Sequence, residues 1–221
     1  MTQTPMIDDT ATLWSAPENE RDGRDVVLLL HGYGADERDL FSLAQHLPDE
    51  FVYAALRAPL PLPWPAAGFS WYPIEGLETR DDAATNAAAH ALWAWIDEHA
   101  PNTVGLIGFS QGGAISLQSL RMRPEALEFT VNLSGYATPV PMPNDEQMRL
   151  VQPAVFWGRG THDEVIPQPL IEHTKQWLPS HAELSGRVYQ GLGHAVSTEE
   201  IADVIAFLQR TLPLDESSGV S

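Results

Sequence analysis

Gly108-Phe109-Ser110-Gln111-Gly112 sets a serine between two glycines. Serine is a weak nucleophile at neutral pH. It needs a base to take its proton, and the base needs a third group to hold it. Both kinds of partner follow in the chain, acid first and base second. Asp163 lies in Gly160-Thr161-His162-Asp163-Glu164-Val165-Ile166-Pro167, and His194 in Gly191-Leu192-Gly193-His194. The chemistry open to such a set is attack of Ser110 on an acyl carbonyl, with His194 as general base and Asp163 orienting it. A turn or helix-cap aspartate is the plainer reading of Asp163, a surface-loop histidine that of His194, and Glu164 and Asp145 are competing acids. The order serine, acid, histidine favours Asp163 and His194.

Acyl transfer also calls for two donors aimed at the developing oxyanion, each worth on the order of 3 kcal/mol. The backbone N–H of Gln111, directly after the serine, is one candidate. It opens a predicted helix, whose amino terminus favours negative charge. The other is the amide of Tyr33 in His31-Gly32-Tyr33-Gly34, where a plain glycine turn is the alternative. His31 is expected to brace this loop. His46, His90, His99, His173 and His181 fall on predicted helices or in loops and carry no expected catalytic role. His162 beside Asp163 hints at a metal, but two adjacent side chains rarely point at one ion, so no metal site is expected.

These residues need elements to position them. Val26-Val27-Leu28-Leu29-Leu30 is an unbroken apolar run before the glycine loop, the pattern of a strand buried on both faces. Further strands are expected over 51–56, 103–109, 129–133, 154–157 and 183–189. Helices are expected over 36–47, 81–99, 111–121, 167–178 and 199–212. Residues 57–79 and 135–152 read as proline-rich irregular segments. Strands alternating with helices imply parallel strands with crossover helices, hence a three-layer α/β domain. Ser110, Asp163 and His194 each follow a predicted strand, so all three fall at the carboxyl edge of the sheet, where ligands bind. A serine at a tight strand-to-helix turn needs small neighbours, which Gly108 and Gly112 supply, while Gly113 leaves room for helix–strand packing. No linker or repeat divides residues 1–221, so one domain is expected, with 1–20 and 214–221 peripheral.

Composition narrows the partners. Thirty acidic residues against twelve basic ones give a formal charge of −18, which repels nucleic acid and anionic membranes. Lys175 is the only lysine, a pattern that fits either salt adaptation or genome composition bias. The chain has no cysteine, which excludes disulfides and a thiolate nucleophile. Residues 1–9 lack a basic segment and an apolar core, and no apolar stretch approaches a membrane span. A soluble, cytoplasmic protein acting on a small molecule is expected, and a homodimer is compatible with the sequence.

Leu30-His31-Gly32-Tyr33-Gly34, Ser70-Trp71-Tyr72, Gly108-Phe109-Ser110-Gln111-Gly112-Gly113, Asp163 with Ile166-Pro167, and Gly191-Leu192-Gly193-His194 together resemble a known family. It is the small carboxylesterase/phospholipase group of α/β hydrolases that includes the acyl-protein thioesterases. The resemblance spans roughly residues 25–210. It implies an α/β-hydrolase fold without a large cap, cleavage of esters or thioesters, and no cofactor. It also implies Ser110, Asp163 and His194 as triad and the amides of Tyr33 and Gln111 as oxyanion hole. The chain departs from it at Tyr33, where the eukaryotic thioesterases usually carry leucine. Residues 57–72 either line an acyl groove or cover the core, and within them Trp71 and Tyr72 are the candidate substrate-binding residues. A peptidase, an acyltransferase or perhydrolase, and a non-catalytic binder are the rival readings of the same scaffold.

Overall fold

The apolar runs 26–30, 52–56 and 129–133 are buried at every position, as strands covered on both faces must be. In chain order the strands are β1 (Leu13–Trp14), β2 (Val26–Leu30), β3 (Val52–Leu56), β4 (Leu60–Pro61), β5 (Phe69–Ser70), β6 (Thr103–Phe109), β7 (Phe129–Leu133), β8 (Ala154–Gly160) and β9 (Glu183–Tyr189). The helices are α1 (Arg38–Phe41), α2 (Asp82–His99), α3 (Gln111–Met122), α4 (Asp145–Val151), α5 (Gln168–Trp177) and α6 (Thr198–Thr211). The computed structural model describes residues 5–74 and 81–212. The expected peripheral tail 214–221 and the end of the proline-rich segment, 75–79, lie outside the described residues.

Seven strands form one sheet in the order β1-β3-β2-β6-β7-β8-β9. All neighbours pair in parallel except β1, which runs antiparallel to β3. Helices cover both faces. Leu28, Leu30 and Leu106 pack with Leu92 and Ile96 of α2 and Ile115 and Leu117 of α3. On the other face Val27, Leu29, Val131 and Phe156 meet Val204, Phe207 and Leu208 of α6. The strand order runs outward in both directions from β2 and β6. Their carboxyl ends therefore flank the crevice where open α/β sheets bind ligands. The α/β-hydrolase architecture is present, and the connection between β7 and β8 carries only the seven-residue α4, with no large cap.

Several elements differ from expectation. The helix over 36–47 is broken into α1 and a 3-10 turn at Ala44–His46. There Ser42 Oγ donates to the Asp39 carbonyl and so competes with the helical ladder. Residues 57–79 contain a short antiparallel ribbon, β4 with β5. Residues 135–152 contain α4, which starts just after Pro143. β8 continues past Trp157 to Gly160, where its ladder with β9 runs on to Tyr189, and Gly158 and Gly160 lie where Glu200 and the Leu192 backbone leave no room for a Cβ. Within the expected periphery, Leu13–Trp14 joins the sheet, and Ser15 Oγ accepts the Tyr53 N–H at 2.9 Å.

Candidate active site

Ser110 sits between β6 and α3 with φ 55° and ψ −114°, a conformation that costs a non-glycine residue on the order of 1–3 kcal/mol. The surroundings hold it there. Its N–H donates to the Leu133 carbonyl at 2.8 Å, and its carbonyl accepts the Ala114 N–H at 3.0 Å. A Cβ at Gly108 would strike the Gly112 carbonyl, and one at Gly112 would strike the Leu30 carbonyl. The two glycines are thus what lets the turn close against β2. Gly113 plays the same part toward Asn132 on β7.

The side chains singled out by chain order meet at this turn. His194 Nε2 lies 2.8 Å from Ser110 Oγ, and His194 Nδ1 lies 2.8 Å from Asp163 Oδ2. The Asp163 side chain is 3% exposed and that of His194 is 15% exposed. Asp163 Oδ1 accepts the N–H groups of Val165 and Ile166, at 2.9 and 3.2 Å, so both carboxylate oxygens are engaged. A carboxylate facing Nδ1 holds the proton there and leaves Nε2 as the acceptor for the serine hydroxyl. The Phe109 ring lies 4.8 Å from the imidazole, centroid to centroid. The competing acids are elsewhere: Asp145 pairs with Arg121, and Glu164 is exposed.

Tyr33 and Gln111, whose backbone amides are the candidate oxyanion donors, both line the cleft beside Ser110. Among the described residues neither amide donates to a backbone or side-chain acceptor. The loop that carries Tyr33 is braced as expected of His31. The Ala58 N–H donates to His31 Nε2 at 3.0 Å, while His31 Nδ1 faces the Gly32 carbonyl at 2.7 Å. This pattern suits a neutral ring, and burial lowers the His31 pKa in the same sense. The Gln111 side chain ties the other wall. Its Oε1 accepts the Trp71 N–H at 2.9 Å, and its Nε2 donates to the Tyr72 carbonyl at 2.7 Å.

The two candidate substrate-binding residues part company. Tyr72 lines the cleft, whose volume is about 340 Å³, together with Tyr33, Ile74, Tyr136 and Ile166. Trp71 does not reach it. It is buried and turned inward, and its indole N–H donates to the His31 carbonyl at 2.9 Å. Trp71 is therefore a brace for the loop rather than a cleft wall. Tyr136 escaped the sequence reading, although it follows β7 at the same carboxyl edge, a placement that could have flagged it. Among the described residues no group of three or more His, Asp or Glu side chains is placed to hold a metal ion, and no helix is long and apolar enough to cross a membrane.

The phospholipase/carboxylesterase family profile matches residues 16–212. The chain belongs to the phospholipase/carboxylesterase family. A probable carboxylesterase of Oryza sativa subsp. japonica is 27% identical over 215 residues, covering 86% of this chain and 78% of that protein. Acyl-protein thioesterase 1 of Kluyveromyces lactis is 26% identical over 214 residues, covering 86% and 93%. Among solved structures, esterase PE8 superposes with a TM-score of 0.71 at 28% identity, covering 86% of this chain and 93% of that one. The Bacillus cereus carboxylesterase gives 0.78 at 21% identity, covering 94% and 95%, a likeness of fold.

Proposed function

We propose that this single-domain family member is a serine esterase that hydrolyses carboxylic esters, and thioesters of the same acyl groups, through an acyl-enzyme on Ser110. The observation that carries the reading is the continuous chain Ser110 Oγ to His194 to Asp163, with both steps at 2.8 Å. Ser110 Oγ attacks the acyl carbonyl as its proton passes to His194 Nε2. The negative charge on the carbonyl oxygen falls to the amides of Tyr33 and Gln111. Collapse of the tetrahedral species breaks the C–O or C–S bond, and the imidazolium returns its proton to the leaving group. Water, deprotonated by the same nitrogen, then attacks the acyl-enzyme, releasing the acid and restoring Ser110. Asp163 keeps its charge throughout and stabilises the imidazolium.

The substrate is a small ester or thioester, since the cleft is at the small end of ligand-site volumes. The test is turnover of p-nitrophenyl butyrate and butyryl-thiocholine by the wild type and by Ser110→Ala. The reading expects kcat to fall by several orders of magnitude in a folded variant. Near-normal turnover by Ser110→Ala would refute it. Preference for an aminoacyl amide over both substrates would point to a peptidase.

A further inference from the structure

Two cavities meet at Tyr72. One is the cleft over Ser110, of about 340 Å³. The other is about 350 Å³ and is lined by Leu60, Trp71 and Pro73 and by Ala84 and Ala87 of the first turns of α2. Tyr72 lines both. Its side chain is almost wholly buried, and its phenol oxygen lies 2.6 Å from that of Tyr136, the other aromatic wall of the cleft. Its backbone is pinned on both sides of the ring, because the Gln111 carboxamide accepts the Trp71 N–H and donates to the Tyr72 carbonyl. The ring therefore stands as a fixed wall. Gln111, the residue directly after the serine, holds it.

The second cavity is suited to hydrocarbon. Among the described residues its lining is leucine, proline, alanine, Trp71 and Tyr72, and the one acidic residue among them, Asp81, spends a carboxylate oxygen on the Ala84 N–H at 3.0 Å. We propose that Tyr72 is the specificity-determining partition for acyl length. Short and medium acyl groups fill the cleft up to the Tyr72–Tyr136 pair. The cavity behind Tyr72 is a latent extension that a longer chain reaches once the ring is removed. This rests on the reading of Ser110 as the acylated residue. It goes further by assigning the length limit to one side chain and by naming the space that the limit closes off.

The test is kcat/KM across p-nitrophenyl esters from acetate through butyrate and dodecanoate to palmitate. The wild type should fall steeply between butyrate and dodecanoate. Tyr72→Ala should raise the dodecanoate-to-butyrate ratio by about tenfold or more, since even one methylene of pocket fit changes kcat/KM by about 10–200-fold. Tyr72→Phe keeps the ring and should keep the limit. Adding Ala87→Phe to Tyr72→Ala refills the second cavity and should bring the ratio back down. Should Tyr72→Ala fail to fold, Tyr72→Leu is read by the same ratio. A wild type that cleaves dodecanoate as well as butyrate overturns the proposal, as does an unchanged ratio in a folded Tyr72→Ala or Tyr72→Leu protein. Cleavage of short esters with the ratio unmoved sinks the partition alone, whereas loss of all Ser110-dependent cleavage sinks the parent reading as well.

Discussion

Replacing Arg121 with methionine should destabilise the protein far more than its place on a helix suggests. Arg121 is 1% exposed and spends its guanidinium on four partners. Nε and Nη2 grip the Asp145 carboxylate, each at 2.8 Å. Nη1 donates to the Thr138 carbonyl and hydroxyl at 2.9 and 2.8 Å, and Nη2 donates to the Val140 carbonyl at 2.8 Å. Gln118 Oε1 accepts a further bond at 3.2 Å, and the group lies 4.7 Å over the Trp177 ring. One side chain thus ties α3 to the 138–140 loop, to α4 and to α5. Methionine fills much of the volume but leaves the Asp145 carboxylate without its cation, with only the Met142 N–H still donating to it at 2.8 Å. Removing one partner of a buried pair costs about 3–5 kcal/mol. For a chain of this size that corresponds to a drop in Tm of roughly 6–20 °C. Urea denaturation and calorimetry read both quantities. The double variant Arg121→Met/Asp145→Leu should recover much of the loss, since an apolar pair replaces the ionic one. The pH dependence has a definite sign. Burial alone would raise the Asp145 carboxyl, but the Arg121 bonds and the Met142 N–H hold it below its ordinary value. The stabilisation it contributes is present above the unfolded carboxylate pKa and is lost as pH falls through the lower folded value. Arg121→Met should therefore lose less stability on acidification than the wild type. A destabilisation under about 1 kcal/mol at neutral pH, the scale of an ordinary substitution, would refute this account of the network.

Two further outcomes follow from the site and its supports. Asp163→Asn should fold normally and lower kcat on butyrate esters by about 10⁴-fold, because the imidazole loses the partner that sets its tautomer; steady-state kinetics beside a circular dichroism spectrum checks this. Glu200 is fully buried on α6, where burial pushes its carboxyl up to about 7, against the pull of the Ser197 N–H. Its folded pKa lies above the ordinary glutamate value of 4.5, so its ionisation costs stability as pH rises from there through about 7. Glu200→Gln should accordingly be more stable than the wild type at pH 8, by on the order of 3 kcal/mol, and the gap should close near pH 5. Urea titrations at the two pH values measure it.

The sheet and the side chains that meet over it were legible because each reports on itself locally. Val26–Leu30 and Phe129–Leu133 are apolar throughout and buried throughout. Ser110, Asp163 and His194 each follow a strand, and parallel strands end on a shared edge. What escaped depends on partners distant in the chain. α4 follows Pro139, Pro141 and Pro143, whose density masks it, and Asp145 in its first turn is held by Arg121, 24 residues away. Nothing local marks Arg121 as buried. β8 reads as ending at Trp157 because Gly158 and Gly160 look like turn residues, yet their missing side chains make space for Glu200 and the Leu192–Gly193 backbone. Trp71 and Tyr72 look equivalent in sequence, but the chain bends at both just past β5, and only their distant contacts tell them apart. One braces His31 while the other lines the cleft.

The claim at the centre of the account is that Ser110 is an activated nucleophile. Incubation with a fluorophosphonate, followed by peptide mass spectrometry, tests it without knowledge of the natural substrate. The account predicts one stoichiometric adduct on the peptide containing Ser110, loss of ester turnover in step with labelling, and no adduct on Ser110→Ala. A folded wild-type protein that stays unlabelled at Ser110 would contradict it, and so would one that keeps full ester turnover once Ser110 is modified.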